Sequence, residues 1–474
     1  MNPSGTAPLY VDLDGTLTRS DVLVESIFAL LKSNVLMIFL FPGWLLQGKA
    51  HFKRQIARRV DLDMTRSPWS ESFLDFLGGQ RREGRRVVLI TASDQKYANA
   101  VAAHLGIFDD AVGSDGVTNL SGARKLDHIL AECGDGFFDY AGNSSADVHI
   151  WRRAKNAYLV NAFPGVIARA QRSANVARLF SPRSNVFGVV LRASRSYQWL
   201  KNLLLFLPLI FAHRIMEGQL FLQVVAGFVS FGFCASSVYM LNDLFDLEND
   251  RRHPTKRNRP LASGAFPLDL AVAVIPLLLL ISIAISLVLP RSFLLVLTLY
   301  LVTTLAYSLR LKQIVMLDVL VLAALYTTRL LAGGAAAGIS VSYWLMVFSM
   351  FFFLSLGMLK RYTEVRALGS TAGNVAGRGY QVDDAELLKQ LGTASGYIAV
   401  LVLALYINSD QVRIQYVHPE LIWLLCPVLL YWISRTWLLA HRGQMHEDPV
   451  LFAIRDHMSH LLIALSLAIL WMAT

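Results

Sequence analysis

The sequence predicts two domains of different class. Residues 1–180 read as an α/β domain of the Rossmann-like kind with a helical cap at about 20–80, and residues 186–474 as an all-α bundle of about nine transmembrane helices. Three observations carry this. Of the 474 residues 54% are hydrophobic and only 16% charged, with a mean hydropathy of +0.45, values that a water-soluble chain of this size hardly reaches. The long apolar runs begin only after about Ser194, whereas the residues before them carry ordinary charge and glycine-punctuated alternation. The N-terminal part opens on a short apolar run, Leu9 to Val11, that ends in two aspartates and a Gly-Thr turn. That is the pattern of a buried parallel strand presenting acids at its carboxyl end.

The formal net charge of +10 suits a chain that lies against anionic lipid and handles phosphorylated substrates. No nucleic-acid partner is expected, because no basic stripe with interleaved aromatics stands outside the flanks of the apolar segments. Cys133, Cys234 and Cys426 are scattered without zinc or redox spacing and read as packing residues. The start, MNPSGTAPLYVDLDGT, has no basic n-region and no apolar h-region, so no cleaved signal is expected and the first domain is placed in the cytosol.

In LYVDLDGTLT, Asp12 and Asp14 stand two residues apart. One carboxylate can attack phosphorus while the other protonates the leaving oxygen, with Mg²⁺ between them screening the approach of anion to anion. The string resembles the first motif of the haloacid dehalogenase (HAD) phosphatase superfamily, which implies Asp12 as nucleophile and Asp14 as general acid and base. Further matches follow in order. RRVVLITAS is a second buried strand ending in Thr91, which resembles the family's phosphate-binding hydroxyl, and Lys125 in GARKLDHIL resembles the lysine that offsets phosphoryl charge. FDYAGNSSADVHIWRRA resembles the acidic fourth motif that completes the Mg²⁺ site. Its first acid is here Asn143, with Asp147 the remaining carboxylate, so the site is expected to lose one negative charge and some metal affinity.

From Ser20 to about Gln80 the periodicity is helical, the usual place of a cap in the HAD superfamily. Within it NVLMIFLFPGWLL, interrupted by Pro42 and Gly43 and followed by Lys49, Lys53, Arg54, Arg58 and Arg59, is too short to span a bilayer. Two readings stand: an interfacial anchor with Trp44 and a basic flank, or the hydrophobic side of the cap packed on the core.

From Tyr197 onward nine apolar segments are expected, near 197–213, 219–241, 267–289, 293–309, 314–338, 341–359, 392–408, 418–440 and 452–472. Loops after the second, fourth, sixth and eighth carry most of the Lys and Arg, from Arg251–Arg259 to Arg442 and Arg455, while the opposite loops hold the single residues Arg214, Arg291 and Arg413. The positive-inside rule then puts the basic loops in the cytosol and the protein in the inner (plasma) membrane, its sites facing the cytosol.

One of those loops carries NDLFDLENDRRHPTKRNRP, Asn242 to Pro260. Asp243, Asp246 and Asp250 fall at i, i+3 and i+7, so a continuous helix would stack three carboxylates on one face with Asn242 beside them. A divalent cation, Mg²⁺, shared with the phosphates of a ligand resolves their repulsion, and Lys256, Arg257 and Arg259 can neutralise the rest of a diphosphate. The alternative is a solvated charge run beside the membrane.

The nine-helix pattern with NDLFDLEND resembles the UbiA superfamily of intramembrane prenyltransferases, and RSYQWLKNLLLFLPL resembles its first helix, which implies that Lys201 and Asn202 approach the cavity. The superfamily's second acidic motif has no counterpart. In its place stand Tyr307 and Lys312 in YSLRLK, Asp318 and Arg329, and Lys360, Arg361 and Glu364 in LKRYTEV. A cationic wall favours direct phosphate contacts over a second metal. Lys360 and Arg361 also read as snorkelling helix-end anchors. These features, with HPTKRNRPLASG and DPVLFAIRD, look most like the bacterial decaprenyl-phosphate phosphoribosyltransferase branch. That resemblance implies 5-phosphoribosyl diphosphate as donor and a polyprenyl phosphate as acceptor, on the way to arabinose-bearing cell-wall polymers, with Lys312, Arg329, Lys360 and Arg361 for the donor's 5-phosphate or the acceptor phosphate. The fused HAD domain is expected to remove the 5-phosphate of the product. Two rivals remain: a prenyltransferase alkylating an aromatic acceptor from a prenyl diphosphate, and a lipid or metabolite transporter with a regulatory HAD module.

Overall fold

The computed structural model describes residues 6–135, 137–180, 186–367, 379–409, 412, 416–445 and 448–473, with backbone alone at 186 and 187; Arg413, one of the single-arginine loop residues, lies outside them. The chain divides into two compact units, Met1–Arg195 with Tyr239–Pro276, and Ser196–Val238 with Leu277–Thr474.

The first unit holds a six-stranded sheet: β1 (Leu9–Val11), β2 (Val87–Asp94), β3 (Asp110–Ser114), β4 (Asp139–Gly142), β5 (Ala157–Val160) and β6 (Val176–Phe180), in the order β3-β2-β1-β4-β5-β6. All pairings are parallel. β1 runs between Val87 of β2 and Asp139 of β4, both opposite Leu9, and its three residues are buried on both faces, so apolar side chains follow one another without alternation. The order reverses at β1, which makes the carboxyl end of that strand the crevice of the sheet.

Between β1 and β2 the chain is helical, through Val22–Ser33, a 3₁₀ segment Val35–Leu40, then Phe41–Leu46, Lys49–Ala57 and Glu71–Arg82. Asp21 starts the first of these by accepting the Val24 N–H at 2.9 Å. Gln95–Leu105, which connects β2 to β3, is capped by Asp94 at its start and by Gly106 at φ 64° at its end.

Among the described residues seven helices are long and apolar enough to cross a membrane: Gly218–Phe245, Leu268–Ser286, Arg291–Leu309, Leu317–Ala337, Tyr343–Ala367, Asp384–Ile407 and Pro419–His441. An eighth crossing results if Pro449–Arg455 and His457–Ala473, bent by 83°, are taken together. The ninth span expected, 197–213, is not such a helix: it runs as a 3₁₀ segment, Ser196–Phe206, followed by the short helix Leu207–Phe211. Pro208 lacks the N–H that an α-helix running through it needs.

In the second unit glycines let segments approach closely. A Cβ on Gly333, in Leu317–Ala337, would overlap the Leu205 carbonyl of the 3₁₀ segment, and one on Gly392 would overlap the Trp437 ring. The core of this unit is built on Leu330, Phe353, Leu359, Tyr362 and Trp437.

Candidate active sites

At the carboxyl end of β1 the chain turns through Gly15, at φ +73°, where a Cβ would overlap the Asn143 amide. Asp12 Oδ1 accepts from Lys125 Nζ at 2.7 Å and from the Leu13 N–H at 2.9 Å. Its Oδ2 takes no hydrogen bond from the described residues. Burial pushes the Asp12 carboxyl up to about 6, against the opposing pull of Lys125. Burial likewise works against the Lys125 ammonium, but Asp12 and Asp147 outweigh it and hold the ammonium above the ordinary lysine value. Lys125 also donates to the Tyr140 hydroxyl at 3.1 Å, which in turn donates to Asp147 Oδ1 at 3.0 Å.

Asp14 is held from another side. Its Oδ1 accepts the Val22 N–H at 2.8 Å, and its Oδ2 accepts from Ser93 Oγ at 2.7 Å and Thr91 Oγ1 at 3.3 Å. Thr91 lies within β2, three residues before its end, and its hydroxyl reaches Asp14. Asp147 Oδ2 accepts from the N–H groups of Asn143 and Ser144 and from Ser144 Oγ at 2.9 to 3.1 Å, so this carboxylate fixes the loop that carries Asn143. The Asn143 carbonyl accepts from Thr16 Oγ1 at 3.4 Å.

Sequence reasoning passed over three residues of this centre. Ser93 holds Asp14. Lys53, on Lys49–Ala57, donates to the Ala92 carbonyl at 2.6 Å and to Asn119 Oδ1 at 2.8 Å, and burial lowers its pKa. Asp21 is pushed up to about 7 by burial and by the charge of Asp14. Lys53 and Asp21 belong to no recognisable short motif, and Ser93 closes the RRVVLITAS string two residues after Thr91.

The second acidic centre also lies in the first unit. The helix Gly218–Phe245 ends just before Asp246, which has φ −102° and ψ 9°, and Leu247–Arg252 follows. The hydrogen bonds from Asp246 N to the Asn242 carbonyl (3.0 Å) and from Asp250 N to the Asp246 carbonyl (2.8 Å) carry the helical path across the joint. The three carboxylates are divided between different cations. Asp243 Oδ1 accepts from Arg195 Nη2 at 2.5 Å and Arg259 Nη1 at 3.2 Å, and Asp250 Oδ2 accepts from the same Arg259 nitrogen at 2.7 Å. Asp246 turns to Lys32 Nζ at 3.0 Å. Asp243 and Asp250 are each 3% exposed. Burial raises the Asp250 carboxyl while Arg259 draws it back. Lys256 and Arg257 are exposed on the short 3₁₀ turn that follows. Arg195, whose sequence position gave no sign of this role, is a direct partner of Asp243.

Among the described residues no group of three or more His, Cys, Asp and Glu side chains is gathered for a metal. The physical reason is visible at both centres: Lys125 lies against Asp12, and Arg195 and Arg259 against Asp243, so cationic side chains already balance the acids. The donor chemistry still fits Mg²⁺, since hard carboxylate oxygens from Asp243 and Asp250 converge on one cationic nitrogen, and Asp12 keeps one oxygen without a partner among the described residues.

In the second unit Asp448 Oδ2 accepts from Lys201 Nζ at 2.8 Å and Lys360 Nζ at 3.0 Å. Burial would raise this carboxyl, but the two ammonium groups hold it well below the usual carboxylate range. Lys360 is thus an ion-pair partner of Asp448. Asn202 Oδ1 accepts from Arg329 Nε at 3.1 Å, while Asn202 Nδ2 is buried with no partner among the described residues. The Arg329 guanidinium lies 5.2 to 5.5 Å from the rings of Phe231, Tyr300 and Tyr326. Arg361 and Tyr307 stand in one network. Arg361 is 1% exposed and donates to Asp318 and Glu364 at 2.5 Å and to the Tyr307 hydroxyl at 3.0 Å. Its guanidinium is thus balanced by two carboxylates. Lys312 stands on a separate 3₁₀ turn, Leu311–Gln313.

Fold and sites together define a multi-pass helical membrane protein of transferase type, fused to an α/β hydrolase-like domain. The chain belongs to the UbiA prenyltransferase family, whose model matches residues 204–463, and residues 9–152 match the model of haloacid dehalogenase-like hydrolases. It is 36% identical over 463 residues to "Uncharacterized protein y4nM" of Sinorhizobium fredii, across 97% of this chain and 89% of that one. It is 35% identical over 281 residues to nodulation protein NoeC of Azorhizobium caulinodans, across 58% of this chain and 90% of that one. Against the decaprenyl-phosphate phosphoribosyltransferase of Mycobacterium tuberculosis identity is 30% over 298 residues, across 62% of this chain and 95% of that one.

Proposed function

We propose that this chain transfers a 5-phosphoribosyl group from phosphoribosyl diphosphate to a polyprenyl phosphate, and that its N-terminal domain then removes the 5-phosphate of the product. The observation that carries the first step is the convergence of buried Asp243 and Asp250 on one nitrogen of Arg259, at 3.2 and 2.7 Å. Two carboxylates sharing a cation are the donor set that suits a diphosphate-bound divalent ion. Asp243, Asp250 and Asp246 would hold Mg²⁺ with Asn242 in support, and the ion when bound supplies positive charge against the donor diphosphate.

Arg195, Arg259, Lys256 and Arg257 would take diphosphate oxygens as negative charge collects on the leaving group. The bond from the anomeric carbon to the diphosphate breaks with its electron pair leaving on oxygen, and an oxygen of the acceptor phosphate forms the new bond. That oxygen is already ionised, so the step needs no separate base. Lys201, Asn202, Arg329, Lys360 and Lys312 are the residues proposed for the remaining phosphates. Similarity to the mycobacterial decaprenyl-phosphate phosphoribosyltransferase supports the phosphoribosyl group and the polyprenyl phosphate acceptor.

In the N-terminal domain Asp12 Oδ2 attacks phosphorus, the bond to the ribose 5-oxygen breaks, and Asp14 delivers the proton which that oxygen needs; water then releases phosphate from Asp12. Lys125 neutralises the phosphoryl group and Thr91 donates to it. Mg²⁺ there would be held by Asp12, Asp14, Asn143 and Asp147. The basic loops support an inner-membrane protein with both centres facing the cytosol.

Incubating the purified chain with ribose-labelled phosphoribosyl diphosphate, Mg²⁺ and a polyprenyl phosphate tests this reading. Label is expected in the lipid extract. Prenylation of a phenol from a prenyl diphosphate, with no labelled lipid, would replace it with the aromatic prenyltransferase reading that the family match also supports.

A further inference from the structure

The two readings of the apolar stretch in the cap are separated by which side chains the fold covers. Val35–Leu40 and Phe41–Leu46 form a pair of short helical turns with two unlike faces. On the inner face Met37, Phe41 and Trp44 pack against a cluster that includes Leu30, Phe52 and Ile56. Away from that cluster Val35, Leu36, Ile38, Phe39, Leu40, Leu45 and Leu46 are exposed, Phe39 at 77% and Leu46 at 90%. Single exposed apolar residues are ordinary, but seven within twelve successive residues mark an interaction surface.

We propose that this face is a monotopic anchor that inserts into the headgroup region of an anionic bilayer. Its length excludes a crossing: twelve residues at about 1.5 to 2 Å per residue reach roughly 20 Å, against about 30 Å of hydrocarbon. Charge complementarity selects lipid over a protein partner. Lys49 is exposed three residues after the patch, and Arg58 and Arg59 are exposed at the far end of the next helix, where the Arg59 guanidinium returns to 4.8 Å from the Trp44 ring. Apolar side chains beside a cationic rim are the composition of a helix lying in the interface plane. The seven apolar spans tether the domain to a bilayer, so insertion is an intramolecular event at high effective concentration.

The anchor and the HAD-like centre are joined through one helix. Lys49–Ala57 leaves the patch directly and carries Lys53, which donates to the Ala92 carbonyl between Thr91 and Ser93, the residues that hold Asp14. Lipid contact thus fixes the cap element that touches the catalytic crevice. This assignment stands whether or not the transfer reaction is the one proposed above.

The test uses the full chain in a cysteine-free background, with an NBD fluorophore on a single cysteine at Phe39 or Leu46. A cysteine at Val117, 88% exposed on the same domain, is the control. The protein is reconstituted into phosphatidylethanolamine and phosphatidylglycerol vesicles, with or without bromine on the acyl chains. Quenching of about two-fold or more is expected at 39 and 46 and essentially none at 117, and Lys49→Glu with Arg58→Glu should weaken it. Equal, negligible quenching at all three positions overturns the proposal: red-shifted emission then means a face in water, and blue-shifted emission without quenching means one covered by protein.

Discussion

Lys32, in the last turn of the helix Val22–Ser33, donates to Asp246 at 3.0 Å and so ties the hydrolase-like domain to the acidic segment. The same helix brings Glu25 to Arg251 at 2.6 and 2.9 Å and Phe28 to Phe245 with ring centroids 5.4 Å apart. Positions 25, 28 and 32 share one helical face. The N-terminal end of the helix is held by Asp14 through the Val22 N–H, so a single element links the two acidic centres.

Removing Lys32 frees a carboxylate proposed for the metal. Lys32 and Asp246 are 36% and 18% exposed, so their pair is worth at most about 1 kcal/mol. Lys32→Met is expected to lower the Mg²⁺ concentration for half-maximal lipid labelling by about two- to five-fold. A rise in that requirement would show that Lys32 assists the site.

The two centres are expected to fail separately. Asp243→Asn removes the carboxylate shared by Arg195 and Arg259 and should reduce lipid labelling by about 100-fold or more, leaving phosphate release from a supplied phosphoribosyl lipid intact. Asp12→Asn should do the reverse: labelled lipid accumulates with its 5-phosphate. Loss of both activities in either variant would contradict two sites.

Arg251 and Glu25 are 7% and 9% exposed and form a bidentate pair, with Ser20 also on Glu25. Glu25→Gln leaves a buried guanidinium without its counter-charge, which should destabilise by about 3 kcal/mol. Adding Arg251→Met should recover most of the loss. The readout is the apparent melting temperature of the two single variants and the double variant in detergent.

How far these relationships could be read in advance depends on their range along the chain. The strand with Asp12 and Asp14 is legible because its chemistry sits within six residues, and Thr91 and Lys125 follow from their order behind it. The acidic segment is legible as a motif but not in its pairing: Arg259 takes Asp243 and Asp250, while Lys32 takes Asp246. Lys32–Asp246, Arg195–Asp243 and Lys201–Asp448 join residues 214, 48 and 247 positions apart. No local pattern encodes such pairs. Asp318, the partner of Arg361, likewise lies 43 positions away.

The Asp12 carboxyl, raised from 3.8 to about 6 by burial, sets a pH dependence. The folded protein binds the proton more tightly than the unfolded chain, so this group's contribution to stability is fully present below pH 3.8 and is lost as pH rises through about 6. The whole change corresponds to about 3 kcal/mol. In Mg²⁺-free buffer the melting temperature of Asp12→Asn relative to the parent should therefore rise between pH 4 and pH 7. A difference that stays flat would mean that Lys125 compensates fully for burial.

Gly333 sets the approach of two segments that carry phosphate candidates. A Cβ there would overlap the Leu205 carbonyl, and backbone cannot swing aside as a flexible side chain does. Gly333→Ala must push the 3₁₀ segment Ser196–Phe206 away from Leu317–Ala337. The first carries Lys201 and Asn202, and the second carries Arg329 one helical turn before the glycine, so the 3.1 Å bond between Asn202 and Arg329 should lengthen or break. Overpacking of this kind costs about 1 to 3 kcal/mol, enough to lower the melting temperature measurably. Lipid labelling should fall by about ten-fold or more, because misplacement of about 1 Å in a positioning group is amplified in rate. Phosphate release by the N-terminal domain should be unchanged. Normal labelling in a variant whose melting temperature has dropped would show that this approach serves packing alone and would remove Asn202 and Arg329 from the proposed site.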